Sequence, residues 1–163
     1  MKMFFLPVIL LVLAVTANAQ LKTTPTCPEF RVDLLDGSVS GVKADFINAR
    51  IKTLLPCFSS SSEEGDTARC GQSVFYKDRD IYFYTDRNYV EIGPNFKGKL
   101  VQPLMGAQRN SLFSLLGHPE LKDVTWDAYK TTYGTLLLNF DSTNKVNRIR
   151  FSTEGTATLR LCE

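Results

Sequence analysis

The sequence predicts an α+β fold of two similar halves, each a helix followed by antiparallel hairpin strands, with the helices packed on one face of an antiparallel β-sheet. Its 163 residues are 44% hydrophobic and 22% charged, which suits one folded core and argues against intrinsic disorder. Apolar side chains recur three or four residues apart in two segments, a spacing typical of amphipathic helices. In several shorter segments they alternate with polar ones, which is typical of half-buried strands.

Residues 1–19 have the three parts of a signal peptide. Lys2 supplies the positive start, residues 4–15 are apolar, and residues 17–19 read Ala-Asn-Ala, a small-x-small cleavage site. We therefore expect one α+β domain over residues 20–163 in a secreted or periplasmic protein. The apolar run is short for a membrane span, so no stable membrane insertion is expected, with a retained anchor as the alternative. Thr-Pro-Thr precedes Cys27, which argues against lipidation there.

Charge and histidine content exclude several function classes. Lys and Arg number 19 against 17 Asp and Glu, a net charge of +2, so the composition carries no field for nucleic acid. The chain has one histidine, which excludes metal sites built on two. We expect no nucleic-acid partner, no metal and no cofactor.

The four cysteines are Cys27, Cys57, Cys70 and Cys162. An even number in an exported chain indicates two disulfides, for which the sequence permits three pairings. Cys57 and Cys70 flank a polar loop whose closure is worth roughly 3 kcal/mol in the chain-entropy model. We predict that pair, which leaves Cys27 with Cys162 to join the two chain ends. Because no C-x-x-C pair exists, a four-thiolate zinc site is disfavoured.

The elements of the first half, residues 30–93, follow in order. A short extended segment at 30–35 ends at the turn signal Asp36-Gly37. A helix is predicted over 43–55, where apolar residues fall on one face and Pro56 stops it. Its apolar positions are Ala44, Ile47, Ile51, Leu54 and Leu55. Alternation then predicts an antiparallel three-stranded meander at 73–76, 81–85 and 89–92.

The second half, residues 94–163, repeats this order. A helix is predicted over 107–116, with Gly117 as its left-handed C-cap and Pro119 beyond. Its expected buried stripe is Leu112, Phe113, Leu115 and Leu116. Strands are predicted at 125–130, 134–140 and 146–152, and residues 156–161 are a candidate for one more. The shared order indicates an internal duplication, although two antiparallel hairpins can look alike by chance.

A known pattern runs through residues 108–152. Residues 111–119 read SLFSLLGHP, Trp126 and Tyr129 follow on a strand, and residues 134–149 form a final hairpin. This stretch resembles the small exported SmpA/OmlA lipoprotein domain and the fold of the β-lactamase inhibitor protein. The resemblance implies a helical layer on an antiparallel sheet and a non-catalytic, protein-binding role. The chain lacks the lipidation cysteine after the export tag, so the resemblance does not imply an outer-membrane anchor.

Candidate catalytic residues are few. His118 lies between Gly117 and Pro119, where a solvent-facing turn residue is expected rather than a general base. G-x-S-x-G, Gly-rich phosphate loops and H-E-x-x-H are all absent from the sequence. Two acidic clusters fall in polar turns, where solvated charge is expected: Glu63, Glu64 and Asp66, then Asp78 and Asp80. We predict no enzyme, and the alternative is a small secreted hydrolase using these carboxylates.

Strand parity places large polar-tipped side chains on the outer side of the sheet. These are Tyr82, Tyr84, Tyr89, Arg148 and Arg150. Tyr and Arg are enriched at binding hot spots, so we expect an open face that receives a protein partner, as in an inhibitor-like or envelope-associated domain. Two alternatives stand: the tyrosines serve only as good strand residues, or the protein is a purely structural envelope component.

Overall fold

The structure, a computed structural model, describes residues 27–65 and 67–162. In chain order the regular elements are β1 (Arg31–Asp33), β2 (Ser38–Val39), β3 (Val42–Lys43), α1 (Asn48–Leu54), β4 (Ser61–Glu63), β5 (Ser73–Tyr76), β6 (Ile81–Tyr84), β7 (Tyr89–Ile92), β8 (Lys99–Leu100), α2 (Phe113–Leu116), β9 (Leu121–Lys122), β10 (Trp126–Lys130), β11 (Thr135–Phe140) and β12 (Val146–Ser152). The predicted signal peptide, residues 1–19, lies outside the described residues.

The strands form two sheets. The larger sheet has eight strands in the order β4-β5-β6-β7-β12-β11-β10-β9, and all its neighbours are antiparallel. Each half of the chain contributes four consecutive strands, and β7 pairs with β12 where the halves meet. The smaller sheet, β3-β2-β1-β8, has four short strands and one parallel pair, β1 with β8. The internal duplication stays a prediction.

The predicted α+β class is wrong. The described residues are mainly antiparallel sheet, with twelve strands and two short α-helices of seven and four residues. The layer on the core side of the larger sheet is built mostly by the smaller sheet. Its Val32, Val39 and Val42 are fully buried in the same core cluster as Val74 and Ile92 of the larger sheet. These β-branched residues suit strands, so a second sheet stands where helices were expected.

The second predicted helix, 107–116, is replaced by a 3₁₀ turn at Arg109–Ser111 and the four-residue α2. The start of the predicted helix bonds to the larger sheet instead: the Ala107 carbonyl accepts a 3.0 Å hydrogen bond from the N–H of Val146 in β12. The Ser111 and Ser114 hydroxyls also donate to carbonyls three residues earlier, at 2.7 and 3.0 Å. Such local bonds compete with helix propagation.

Two further details of this region differ from the prediction. In the expected apolar stripe Leu112 is buried, whereas Phe113 and Leu115 are 57% and 53% exposed. Gly117 has a positive φ of 73° but a ψ of −152°, so it is not a left-handed helical cap. The first predicted helix shows the same shortening: Lys43 pairs in β3, and Ile47 and Leu54 are exposed.

The predicted meander and the later hairpin are confirmed. β5, β6 and β7 lie where alternation placed them, and β10, β11 and β12 match the predicted segments within one residue at each end. Each meander turn is a 3₁₀ turn that ends in a left-handed residue, Asp80 with φ 55° and Asn88 with φ 52°. Asp and Asn tolerate this conformation better than other non-glycine residues. Residues 156–161 form no strand.

The predicted disulfide pairing is wrong, although all four cysteines form disulfides. Cys27 pairs with Cys57, with Cα atoms 4.5 Å apart, and Cys70 pairs with Cys162 at 5.5 Å. Cys27 and Cys57 approach each other because the segments that carry them both contact Tyr76. Its ring packs 4.8 Å from that of Phe30, and its hydroxyl donates to the Leu55 carbonyl. Two disulfides fit an extracellular or periplasmic protein.

Peptide mapping tests this pairing. Trypsin cleaves after Arg69 and so separates Cys57 from Cys70. A non-reducing digest is expected to contain a Cys27–Cys57 peptide pair and a Cys70–Cys162 pair, both lost after reduction and alkylation. A tryptic species that links the Cys57 and Cys70 peptides directly would contradict the structure.

In residues 27–65 and 67–162, neither α-helix has the length and apolar character of a membrane span.

Candidate functional site

The candidate site is the outer side of the larger sheet, here called the tyrosine face. The predicted parity is confirmed: Ile81, Phe83, Val90 and Ile92 are fully buried in the core. On β6, β7 and β12, the residues that alternate with the buried ones point to the outer side of the sheet. Tyr82, Tyr84, Tyr89, Arg148 and Arg150 therefore share the tyrosine face, as expected.

One row of paired residues crosses this face over all eight strands. It consists of Ser61, Phe75, Tyr82, Glu91, Arg150, Leu137, Ala128 and Leu121. The β4 to β7 end of the row is aromatic and acidic, whereas the β11 to β9 end is aliphatic. Arg150 lies at the boundary, paired with Glu91 on one side and with Leu137 on the other. The face therefore has two chemically different halves.

A charged triad holds the centre of the face. The Arg150 Nε donates to Glu91 Oε2 at 2.6 Å, and the Arg148 Nε lies 3.6 Å from Glu91 Oε1. Arg150 Nη1 also donates to Asn139 Oδ1 at 3.0 Å. Because two guanidinium groups face one carboxylate, the triad carries a net charge of one positive unit. Arg148 is its exposed member, with a side chain 46% accessible, against 8% for Arg150.

Aromatic rings extend the face beside the triad. Tyr84 stacks on Tyr89 with ring centres 4.5 Å apart and an interplanar angle of 17°. Phe75 meets Tyr82 and Tyr84 edge-on at 5.7 and 5.6 Å, and the Lys77 ammonium lies 5.7 Å above the Phe75 ring. Contacts of this kind fix ring positions and leave little side-chain entropy to lose on binding.

The tyrosine hydroxyls are neutral at physiological pH. Burial raises the pKa of Tyr84 above its usual value, and the Glu91 carboxylate raises it further. Burial also raises the pKa of Tyr82, with a further increase from the Asp80 carboxylate. Burial likewise raises the pKa of Tyr89. The phenols therefore act as hydrogen-bond donors and acceptors rather than as anions.

The face is not open along its whole width, which corrects the sequence expectation for two of its residues. The C-terminal segment, residues 153–162, returns across the sheet. The Cys162 N–H donates to the Tyr89 hydroxyl at 3.0 Å, and Arg87 Nη1 donates to the Leu161 carbonyl at 3.0 Å. Tyr89 is fully buried and Arg150 is 7% exposed, so neither is available to a large partner. Tyr82 and Tyr84 are half-buried and Arg148 is exposed.

A concave region lies on the core side of the larger sheet, beside β10. This cleft of about 440 Å³ is lined by Arg109, His118, Lys122, Asp127 and Tyr129, among others. Asp127 is 3% exposed and receives bonds of 3.0 and 2.5 Å from Arg109 Nε and Nη2. That hydrogen bond to Asp127 raises the pKa of Arg109.

The remaining contacts of Arg109 indicate that this residue has a structural role in the cleft. Arg109 also donates to the carbonyls of Val124 and Asp123 and lies 4.5 Å above the Phe140 ring. Its donors are thus occupied by the protein itself. His118 is exposed, as predicted, and its ring lies 4.6 Å from that of Phe113. Among the described residues none hydrogen-bonds to the imidazole.

The carboxylates of the acidic clusters accept hydrogen bonds from neighbouring groups of the protein. Glu64 accepts a bond from Asn48, and Asp78 accepts one from Ser59. The Asp80 carboxylate accepts hydrogen bonds from the Asn95 N–H and from the Tyr82 hydroxyl. Asp66 lies outside the described residues. In residues 27–65 and 67–162, no group of three or more His, Cys, Asp or Glu side chains could hold a metal ion.

Sequence reasoning missed two contributors to the face. Phe75 belongs to β5, where all four residues are buried. Because apolar and polar residues do not alternate clearly in this strand, its sequence did not predict which side chains point to the tyrosine face. The C-terminal segment was interpreted as a candidate strand, whereas it covers the sheet. The signal available in the sequence was Cys162, because a disulfide at this residue fixes the C-terminal segment to another part of the fold.

Comparisons with known proteins assign the chain to no family. No protein-family model matches the chain, and no curated protein or solved structure matches it significantly.

Proposed function

We propose that the chain is an exported, non-catalytic protein-binding domain, inhibitor-like or envelope-associated, whose partner docks on the exposed part of the tyrosine face. This docking surface consists of Tyr82, Tyr84 and Arg148. The observation that supports it is the combination of half-buried tyrosines and an exposed guanidinium in fixed positions on one continuous sheet. Tyr and Arg of this kind dominate the energetics of protein interfaces.

The partner is a protein surface that presents a carboxylate to Arg148 beside an apolar area that covers Tyr82 and Tyr84. Arg148 and Arg150 together exceed the charge of Glu91, and Arg148 is the member of the triad that solvent reaches. A carboxylate on the partner can pair with the guanidinium of Arg148, while the rings of Tyr82 and Tyr84 supply apolar area. Complementary charge of this kind also favours the correct encounter over others.

Export and the resemblance of one stretch of the sequence to known domains support the same proposal. Residues 1–19 direct secretion or periplasmic export, which agrees with the two disulfides. The resemblance of residues 108–152 to the SmpA/OmlA domain and the β-lactamase inhibitor protein implies a non-catalytic, protein-binding role and points the same way.

Substitution at the docking surface tests this function. Immobilised wild-type protein captures partners from the envelope fraction and medium of the producing cell, and the purified partner is then titrated. Replacing Tyr82 and Tyr84 together by Ser, or Arg148→Gln alone, is expected to weaken binding by about 2 kcal/mol or more, roughly thirtyfold. Raising the salt concentration should weaken the wild-type complex further, since part of the attraction is between charges.

The matched control is Arg31→Gln. Arg31 is an exposed arginine of β1, in the smaller sheet on the core side of the molecule. The Arg31→Gln variant should bind the partner as the wild type does. A captured protein that binds the Arg148→Gln and Arg31→Gln variants equally well, or that presents no carboxylate to this surface, would contradict the proposed docking mode.

A further inference from the structure

An apolar cavity lies under the C-terminal segment, on the half of the tyrosine face that the proposed partner does not use. Its volume is about 210 Å³. The floor comes from β9, β10 and β11 and the roof from the C-terminal segment. The principal apolar lining residues are Leu121, Trp126, Ala128, Leu137, Leu159 and Leu161. Most ligand pockets share this character, an apolar body with a few polar groups at fixed positions.

The polar end of the cavity is formed by Arg150 and Asn139, and Arg150 is the charged residue among those that line it. Two donors there have no acceptor within the described part of the chain. Arg150 uses Nε for Glu91 and Nη1 for Asn139, which leaves Nη2, and Asn139 uses Oδ1, which leaves Nδ2. No carboxylate lines the cavity, and the adjoining triad is positive overall. This end therefore favours an anion that accepts two hydrogen bonds.

The roof of the cavity is held in place at both ends. At the start of the C-terminal segment, Thr135 Oγ1 donates to the Glu154 carbonyl at 2.8 Å, and Thr156 Oγ1 donates to Glu120 at 3.0 Å. At the other end Cys162 is bonded to Cys70. A site whose walls are already fixed has little ordering entropy to overcome on binding.

The size of the cavity limits the ligand. A dry cavity of about 150 Å³ lined by aliphatic and aromatic side chains accommodates benzene, which has six non-hydrogen atoms. On that scale this cavity accommodates about eight non-hydrogen atoms. A six-carbon monocarboxylate has that size, and its one charged end matches the one polar end of the site.

We infer that the cavity binds a small monocarboxylate with an apolar body, of the size of hexanoate. Its carboxylate accepts hydrogen bonds from Arg150 Nη2 and Asn139 Nδ2, and its hydrocarbon chain packs among Leu137, Leu159 and Trp126. Arg150 thus contributes to a small-molecule site rather than to the protein docking surface. This inference does not depend on the proposed partner.

Tryptophan fluorescence tests the inference directly, because Trp126 lines the cavity and is the one tryptophan of the chain. Hexanoate is titrated into the wild-type protein, with 1-hexanol as the neutral match. We expect a saturable change in Trp126 emission and binding of hexanoate at least about tenfold tighter than of hexanol, since a charge-assisted bond is lost with the alcohol.

Filling the cavity provides the matched variant. Ala128→Leu places three more carbons in the cavity and should weaken hexanoate binding about tenfold or more. Ala49→Leu, at an exposed position of α1, is the control and should bind as the wild type does. Should Ala128→Leu fold poorly, methyl NMR of the wild type replaces it. Hexanoate should then shift the signals of Leu137, Leu159 and Leu161 and leave those of Leu34 and Leu104 in place.

Three results would overturn the inference. One is the absence of a saturable signal with hexanoate. Another is equal affinity for hexanol, which would remove the role of Arg150 and Asn139. The third is unchanged binding by the folded Ala128→Leu variant, or methyl shifts confined to residues outside the cavity.

Discussion

Arg109→Met is expected to lower the free energy of unfolding by about 3–5 kcal/mol, because it leaves the buried carboxylate of Asp127 without its cation. Asp127 is 3% exposed and receives two hydrogen bonds from Arg109. The same substitution removes the donors to the Asp123 and Val124 carbonyls. Methionine also lacks the guanidinium carbon that lies 4.5 Å above the Phe140 ring, so the loss includes this contact together with the charge and the hydrogen bonds. Urea unfolding followed by Trp126 fluorescence gives the value.

Two companions make the measurement specific. Arg31→Met removes an exposed arginine and should change stability by no more than about 0.5 kcal/mol. The double variant Arg109→Met/Asp127→Leu removes both charges and should recover much of the loss, since a buried pair can often be exchanged for apolar residues at little cost. If the double variant is as unstable as the sum of the two single variants, the ion pair is not the source of the effect.

Phe83→Ala is expected to destabilise the protein by about 3–5 kcal/mol, the usual cost of emptying a buried phenylalanine site. Phe83 is fully buried on β6, an interior strand of the larger sheet, where it pairs with Val74 on one neighbouring strand and Val90 on the other. Its ring lies 6.1 Å from that of Tyr76, which in turn contacts Phe30. The cavity left by alanine would therefore lie between the two sheets, where neighbours from both would have to move to fill it.

Tyr82→Ser is the control on the same strand. Tyr82 points to the tyrosine face, is half-buried, and contacts Phe75 edge-on. Its loss should cost no more than about 1 kcal/mol, the value of a cross-strand pair. Thermal and urea unfolding of the two variants side by side would contradict the assigned parity if Tyr82→Ser unfolded as readily as Phe83→Ala.

Much of the larger sheet could be predicted from the sequence. Alternation located β5 to β7 and β10 to β12 and assigned Phe83 and Tyr82 to opposite sides. That success has a local cause, because successive side chains of a strand point to opposite faces whatever the rest of the chain does. Polar turn residues such as Asp80 and Asn88 likewise act within a few positions of themselves.

Helices were overestimated for a physical reason. Apolar spacing over residues 107–116 fits an amphipathic helix, yet Ala107 bonds to Val146 in the distant β12. A helix of about ten residues is marginal without tertiary packing, so competing contacts decide its extent. The exposed Phe113 and Leu115 show that this segment buries only part of the face on which the helix prediction depended.

The sequence by itself determined the positions of β5 to β7 and β10 to β12, the face to which the side chains of β6, β7, β11 and β12 point, and the presence of four cysteines suited to disulfides. Only the tertiary structure decided which cysteines pair, that a small second sheet replaces the helical layer, and that the C-terminal segment covers Tyr89 and Arg150. The first set follows from geometry within a few residues. The second depends on contacts between residues far apart in the chain, such as Cys70 with Cys162, 92 positions apart, and no local pattern encodes where such a segment comes to lie.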